Sequence, residues 1–135
     1  PGWHSVGFTS LTVLSWPARG AGRVAVELAQ QASAFVSAVE SLDEAIHQKA
    51  RLGIISTLAT VGEAEFKLLK ESLALSDGNL STHLTYLESR GYVELTKSFK
   101  GKRPLTTVSL TEQGQTAFTE YLAALERIIK AAQPH

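Results

Sequence analysis

The first 40 residues divide into an irregular segment and a helical pattern. Residues 1–22 hold both tryptophans and follow neither a two-residue nor a helical period, so we predict an irregular arm there. Apolar residues then recur at steps of three and four as far as Glu40, which predicts an amphipathic helix over 23–40. Its apolar stripe fits packing against the rest of the domain and dimerisation equally well.

Two more helices are predicted before the middle of the chain. Ser41 and Asp43 are candidate N-caps for the first, which carries a broad apolar face until Gly62 ends it. Residues 64–73 place apolar side chains on one stripe and charged side chains elsewhere, as a short amphipathic helix does. Three helices are therefore expected ahead of residue 75.

The signals for a fourth helix, over residues 76–90, are the most complete. Ser76 is a candidate N-cap, and Leu75 with Leu80 has the spacing of a hydrophobic staple. Gly91 is placed to end the helix in the left-handed conformation that glycine adopts without strain. The side predicted to be buried carries Leu80, Leu84 and Leu87.

The hydrophobic period changes to two after the fourth helix. Residues 92–99 and 105–110 both alternate between apolar and polar side chains. Residues 100–104 (KGKRP) lie between them and have the composition of a turn. The sequence therefore predicts a β-hairpin directly after the helix over 76–90.

A last helix is predicted over 111–132, with Thr111 as its N-cap. Its apolar residues have the spacing of a coiled-coil seam. They are Phe118, Leu122, Leu125 and Ile129. The order of elements predicts an α+β fold, mainly helical, in which a helix-turn-helix with a two-stranded wing lies between extra amino- and carboxy-terminal helices. A monomer would leave the apolar stripes of those two helices partly exposed, which favours dimerisation.

The fourth helix has an outer face without long charged side chains. At about 100° per residue, the side opposite the leucines carries Gly78, Thr82, Thr85 and Ser89, flanked by Asn79, Ser81 and Tyr86. Short hydrogen-bonding groups suit close approach to the major groove of B-DNA, although an ordinary solvated polar face remains the alternative. His83 lies at the flank of the buried stripe, where a structural role or a phosphate contact is expected rather than metal binding or catalysis.

Charge is balanced over the whole chain but not at the hairpin. Thirteen basic and thirteen acidic residues give a net charge of zero, which by itself is no argument for a polyanionic partner. Residues 96–103 nevertheless contain four basic residues and no acidic one. Such a turn alone would be interpreted as solvated surface. Next to an uncharged helix face, it suits phosphate contacts and insertion of Lys102 or Arg103 into the minor groove.

Two runs of residues carry a resemblance to a known family. LSDGNLSTHLTYLESRGYVE and KSFKGKRPLTTVSLTEQG, preceded by Ile46, His47 and Arg51, resemble the winged helix-turn-helix transcriptional regulators of the MarR and ArsR type, in particular a compact bacterial subgroup. The resemblance covers about residues 42–129 and implies a homodimer that binds operator DNA. The DNA-contacting residues that it implies are Ser76, Gly78, Asn79, Ser81, Thr82, His83 and Tyr86 in the helix and Lys100, Lys102 and Arg103 in the wing.

We therefore expect one winged-helix domain over 23–135 after the arm. Within it, residues 43–110 form the predicted DNA-binding core, between the amino-terminal helix and a dimerisation helix over 111–132. The expected partners are double-stranded DNA and a second copy of the chain. An unidentified small-molecule effector, bound between the dimer helices and the core, is a further possibility. The rival hypothesis is a protein-interaction module without DNA binding. An apolar outer face on the fourth helix would favour that hypothesis, and this sequence lacks such a face.

Several other classes are not expected from the sequence. There is no cysteine and the four histidines are widely scattered, so no metal site or cofactor is predicted. No catalytic motif is present, and we do not expect an enzyme. No apolar run approaches the about 20 residues that span a bilayer, and the start lacks a signal-peptide pattern, so no membrane partner and a cytoplasmic location are expected.

Overall fold

A computed structural model describes residues 19–133 as five helices and a three-stranded antiparallel sheet. Most of the predicted irregular arm lies outside the described residues, and its last part is helical from Arg19 onward. The helices are α1 (Arg19–Glu40), α2 (Lys49–Val61), α3 (Phe66–Leu73), α4 (Asp77–Ser89) and α5 (Glu112–Ala132). The strands are β1 (Glu63–Glu65), β2 (Val93–Lys100) and β3 (Arg103–Leu110). The predicted mainly helical α+β fold is confirmed.

Helix α2 begins later than the sequence pattern predicted. Ser41 and Asp43 do not cap it, because the cap is Gln48, whose side-chain oxygen accepts a hydrogen bond from the Arg51 N–H (2.9 Å). Residues 41–48 form turns instead, in which a carboxylate oxygen of Asp43 accepts from the Ala45 N–H (2.9 Å). The apolar residues of this segment pack into the core. Their spacing therefore continues the helical pattern, although the segment itself is not a helix.

Strand β1 was not predicted, and it changes the two-stranded wing into a three-stranded sheet. It pairs with β3 through Ala64 opposite Val108, so that β3 lies between β1 and β2. Three residues with one buried side chain are too few to show a two-residue period. Helix α3 consequently begins at Phe66 and not at the predicted Ala64.

One hydrophobic core joins the helices and the sheet of the predicted DNA-binding region. The predicted leucine stripe of α4 is confirmed, because each of its three leucines is 0% exposed. Other buried members come from α2, α3, the sheet and α5. They are Ile54, Ile55, Leu58, Ala64, Leu69, Val93, Val108 and Tyr121. Packing of the three leucines thus fixes the orientation of α4. The side chains on its outer side are not needed for the core.

Both ends of α4 are formed as the sequence predicted. The Ser76 hydroxyl accepts a hydrogen bond from the Asn79 N–H (3.1 Å) at the start of the helix. At the other end, Gly91 has a φ of 78°, and the Tyr92 N–H donates to the Leu87 carbonyl (3.0 Å). This is the backbone pattern of a Schellman motif, which satisfies the last carbonyls of a helix.

The two long terminal helices pack against each other but leave much apolar surface uncovered. In α5, Tyr121 and Ala124 face the core, whereas Leu122 and Ile129 of the predicted seam are exposed. In α1, the exposed apolar residues are Val24, Val26, Leu28, Val36 and Val39. Within residues 19–133, no helix is both long enough and apolar enough to cross a membrane.

Candidate nucleic-acid interface

Helix α4 presents its predicted polar face to solvent. The residues opposite the leucine stripe are all exposed, as the helical period predicted. They are Gly78, Asn79, Ser81, Thr82, Thr85, Tyr86 and Ser89. Ser76 is exposed as well, but its hydroxyl oxygen is engaged at the start of the helix. The face of α4 opposite the leucines is therefore uncharged and rich in small hydrogen-bonding groups.

The hydroxyl groups on this face are partly committed to the helix itself. The Thr82 hydroxyl donates to the Gly78 carbonyl (2.9 Å), and the Ser89 hydroxyl donates to the Tyr86 carbonyl (2.6 Å). A hydroxyl that donates within the helix still has lone pairs that can accept from another molecule. Amino groups of adenine and cytosine are donors of this kind in the major groove. The face can therefore accept hydrogen bonds from base edges.

Arg51 of α2 reaches the same surface and contacts two residues of α4. Its guanidinium carbon lies 4.5 Å from the centre of the Tyr86 ring, and its Nη1 lies 3.4 Å from Nδ1 of His83. Its Nε donates to the Ala45 carbonyl (2.6 Å), which ties the group to the turn before α2. The resemblance had included Arg51 without giving it a role. A period within one helix cannot reveal a contact between two helices.

His83 lies at the edge of the buried stripe, as predicted, with its side chain partly buried. Desolvation by this burial, and then the charge of Arg51, lower the pKa of His83 below its usual value. Arginine has no acceptor, so the neutral ring accepts at Nδ1 and carries its proton on Nε2. A neutral hydrogen-bond donor is consistent with the predicted structural or phosphate-contacting role.

An ion pair connects the two helices of the helix-turn-helix. Nζ of Lys70, on α3, lies 3.0 Å from a carboxylate oxygen of Asp77 in the first turn of α4. Since both side chains are solvent-accessible, the pair contributes little stability. The pair matters more for DNA binding, because Lys70 neutralises a carboxylate that would otherwise repel a phosphate at this end of α4.

The wing is longer and its loop shorter than the sequence predicted. The predicted turn over residues 100–104 shrinks to two residues, because Lys100 and Arg103 form the last pair of the ladder. Gly101 supplies the positive φ, 67°, that such a tight hairpin loop requires. Pro104 is tolerated within β3 because β1 pairs only with residues 107–109, which leaves that edge of β3 open.

The basic residues of the wing are exposed and unneutralised in the described part of the chain. The ion pairs found between residues 19 and 133 are Lys70–Asp77 and Lys130–Glu126, and neither involves the wing. The exposed basic residues of the wing are Lys97, Lys100, Lys102 and Arg103. No group of three or more potential metal ligands comes together among these same described residues.

A groove of about 310 Å³ joins the outer face of α4 to the wing. Ser81 and Thr85 line it from the helix, and Lys97 lines it from β2. The sequence pattern had placed Thr85 on the outer face of the helix and Lys97 in the basic stretch, but neither was among the DNA-contacting residues that the resemblance implied. The alternation of β2 contains the missing signal, since Lys97 lies two residues from the core-packed Leu95 and so on the same face. Helix and wing therefore form one continuous surface.

Comparisons with known proteins agree with this geometry. The sequence model of a family described as a winged helix DNA-binding domain matches residues 50–129. An uncharacterized protein of Methanocaldococcus jannaschii is 39% identical over 80 residues, which are 59% of this chain and 87% of that protein. A transcriptional regulator homologue from Pyrococcus horikoshii has a similar solved structure, with a TM-score of 0.67 at 27% identity, over 76% of this chain and 99% of that one. NadR in complex with 4-hydroxyphenylacetate shares the fold, with a TM-score of 0.56 at 23% identity, over 87% of this chain and 80% of its own.

Proposed function

Because this chain belongs to the winged helix DNA-binding domain family, and is a DNA-binding transcriptional regulator of the MarR type rather than an enzyme, we propose how it binds. It acts as a homodimer that places α4 in the major groove and rests the wing on the DNA backbone or in the minor groove. The observation that carries this proposal is the exposed, uncharged face of α4, backed by three fully buried leucines and continued by a basic wing.

The size and chemistry of α4 support the major-groove placement. Its 13 residues span about 20 Å, and a groove about 12 Å wide admits one helix. Thr82 lies in the middle of the exposed face, where its methyl group can contact thymine. Asn79 and Tyr86 have the longer polar side chains and can reach base edges or phosphates. The face is not apolar, which disfavours the rival role as a protein-interaction module.

The uncovered apolar surface of α1 and α5 supports the homodimer. Leu122 and Ile129 lie on the outside of α5, and five apolar residues of α1 are also exposed. Exposed apolar side chains concentrated on two long helices that pack against each other are typical of an interaction site. A twofold dimer would bring two copies of α4 onto half-sites about one helical turn, or 34 Å, apart.

An effector site is proposed at the junction between α1 and the core. A depression of about 560 Å³ lies there, lined by Val39, Glu40, Leu42, Glu44, His47 and Gln48. The Tyr121 hydroxyl of α5 lies 2.8 Å from Nδ1 of His47, so this lining is joined to a terminal helix. Two carboxylates in the lining favour a neutral or cationic compound over a carboxylate like the ligand of NadR. Aromatic amines should therefore raise the melting temperature of the protein, and aromatic acids should not; the reverse order contradicts this assignment.

The DNA-binding proposal is tested by selection from a random-sequence duplex library. We expect the enriched duplexes to contain inverted repeats with half-site centres about 10 base pairs, or a multiple of this, apart. Thr82→Ala and Asn79→Ala should change the bases preferred within each half-site, whereas Ser72→Ala, at an exposed position of α3, should not. A library that stays unenriched at low salt would contradict the proposal.

The dimer is tested separately by size-exclusion chromatography with light scattering. The wild-type protein should have the mass of two chains at micromolar concentration. Leu122→Asp should shift the mass toward one chain, because it introduces a charge into the proposed interface. Ser72→Asp adds the same charge on exposed α3 and should leave the dimer intact. A wild-type protein that is monomeric under these conditions rules the dimer out.

A further inference from the structure

Phe99 is the most exposed large apolar side chain among residues 19–133. It is 72% exposed and lies on β2 next to the end of the hairpin, opposite Pro104 on β3. An aromatic ring held in water at the tip of a hairpin contributes nothing to the core. A single exposed apolar side chain is common on protein surfaces, so the case for a partner depends on where Phe99 lies and on the charges around it.

The face of the wing that carries Phe99 is the face turned toward α4. Side chains alternate along a strand, so Phe99 shares its face with Leu95 and Lys97. Leu95 packs against the core, and Lys97 lines the groove with Ser81 and Thr85 of α4. At about 3.3 Å per residue, Phe99 lies about 13 Å beyond Leu95 along the strand. The ring thus extends the proposed DNA-binding surface sideways from α4.

The charge around Phe99 determines what kind of partner can cover it. No acidic residue occurs between Glu94 and Glu112. The four basic residues of the wing lie on both sides of Phe99 in the sequence, all within four positions of it. Glu65 shares a surface depression with Arg103 but forms no ion pair with it in the described chain. A partner for this tip must combine negative charge with an apolar slot. Duplex DNA provides both, because stacked bases lie between two rows of phosphates.

We propose that Phe99 is an apolar wedge that enters the minor groove beside the major-groove site of α4 and partly unstacks one base step. Lys100, Lys102 and Arg103 then hold the phosphates on either side of it. This inference rests on the proposed DNA-binding function and adds a specificity determinant to it. A wedge favours flexible pyrimidine–purine steps and bends the duplex, so it selects sequence without a hydrogen bond to a base.

The test compares Phe99→Ala with Phe99→Leu and with the triple variant K100A/K102A/R103A. The probe is a duplex selected by the wild-type protein, with 2-aminopurine placed in turn at each step that flanks the half-sites. Titrations are run at several salt concentrations, because removing an apolar side chain does not change the number of phosphates contacted. Phe99 is exposed, so all three variants should retain the wild-type melting temperature.

Phe99→Ala should weaken binding about 5- to 160-fold for each protomer, as loss of one stacking contact does, with an unchanged salt slope. Phe99→Leu should recover most of the affinity, and the triple variant should reduce the salt slope. Wild-type binding should raise 2-aminopurine fluorescence at one step per half-site, and Phe99→Ala should abolish that rise.

Two results would overturn the wedge while leaving DNA binding intact. The first is a Phe99→Ala protein that binds with wild-type affinity or gives the same fluorescence rise. The second is a Phe99→Ala protein whose mass falls to one chain, since the ring would then serve the contact between protomers. A wild-type protein that binds no duplex refutes the proposed function itself, which distinguishes the two failures.

Discussion

The outer face of α4 and the tip of the wing differ in almost every physical property. The helix face is uncharged, and its backbone is held by three leucines that are 0% exposed. The wing beyond Leu95 has no buried side chain on β2 and carries four exposed cations. Hydrogen bonds to bases require atoms positioned within a few tenths of an ångström, whereas attraction to phosphates tolerates movement. The difference indicates a division of roles, in which α4 selects sequence through hydrogen bonds to bases and the basic residues of the wing supply affinity.

The largest effect is expected from removing the charge of the wing. If each of the three basic residues of K100A/K102A/R103A contacts one phosphate, the salt slope falls by about 2.7 per protomer, and affinity near 0.1 M salt falls about 500-fold for each protomer bound. The loss should be similar for selected and scrambled duplexes. Lys130→Ala, which removes a charge from α5, is the control and should leave binding unchanged. A triple variant that loses affinity only for the selected duplex contradicts the division of roles.

The second comparison is between the inner and the outer side of α4. Leu84→Ala should lower the free energy of unfolding by about 2 to 5 kcal/mol, because it opens a cavity at a fully buried position. Thr85→Ala, at the next and exposed position, should change it by no more than about 0.5 kcal/mol. Urea denaturation followed by circular dichroism measures both. Equal losses would mean that the outer face is part of the core.

Arg51 should act on sequence preference rather than on general affinity. Arg51→Gln removes the cation that lies over the Tyr86 ring, so Tyr86 and His83 lose a support for their positions. The preference for selected over scrambled duplex should fall several-fold, about 1 kcal/mol. Arg51→Lys, which keeps the charge but not the planar group, should restore only part of it. A salt slope reduced by about 0.9 would show instead that Arg51 contacts a phosphate directly.

The smallest effect concerns the pH dependence of stability. The pKa of His83 is lowered in the folded protein, so the unfolded chain takes up a proton on this ring first as the pH falls. Stability attributable to His83 is therefore fully present above the usual pKa of 6.5 and is lost as the pH decreases below it. His83→Gln should flatten the decline in unfolding free energy between about pH 7.5 and 5.5. A steeper decline in the variant would contradict the direction of the pKa shift.

Features set by neighbouring residues were predicted well, and features set by distant pairs were not. Helix α4 was predicted with its cap at Ser76, its end at Gly91 and its outer face, because each depends on residues within one helix. Strand β1 was missed because it exists only by pairing with β3, more than 40 residues later. The contacts of Arg51 with α4 were missed for the same reason.

Two further errors came from patterns that more than one structure satisfies. Residues 41–48 pack into the core as turns, yet their apolar residues continue the helical period of α2. The run KGKRP has turn composition, but a two-residue loop around Gly101 needs only part of it, and the rest extends the strands. Composition limits where a turn can occur, and the register of the paired strands decides how long it is.

Methylation protection of a selected duplex tests the central claim most directly. Dimethyl sulfate modifies guanine N7 in the major groove and adenine N3 in the minor groove, so one experiment reports on both. We predict that the bound wild-type protein protects guanine N7 in two patches about one helical turn apart, and adenine N3 beside them where the wings lie. A stable complex in which guanine N7 stays fully reactive would contradict the placement of α4 in the major groove.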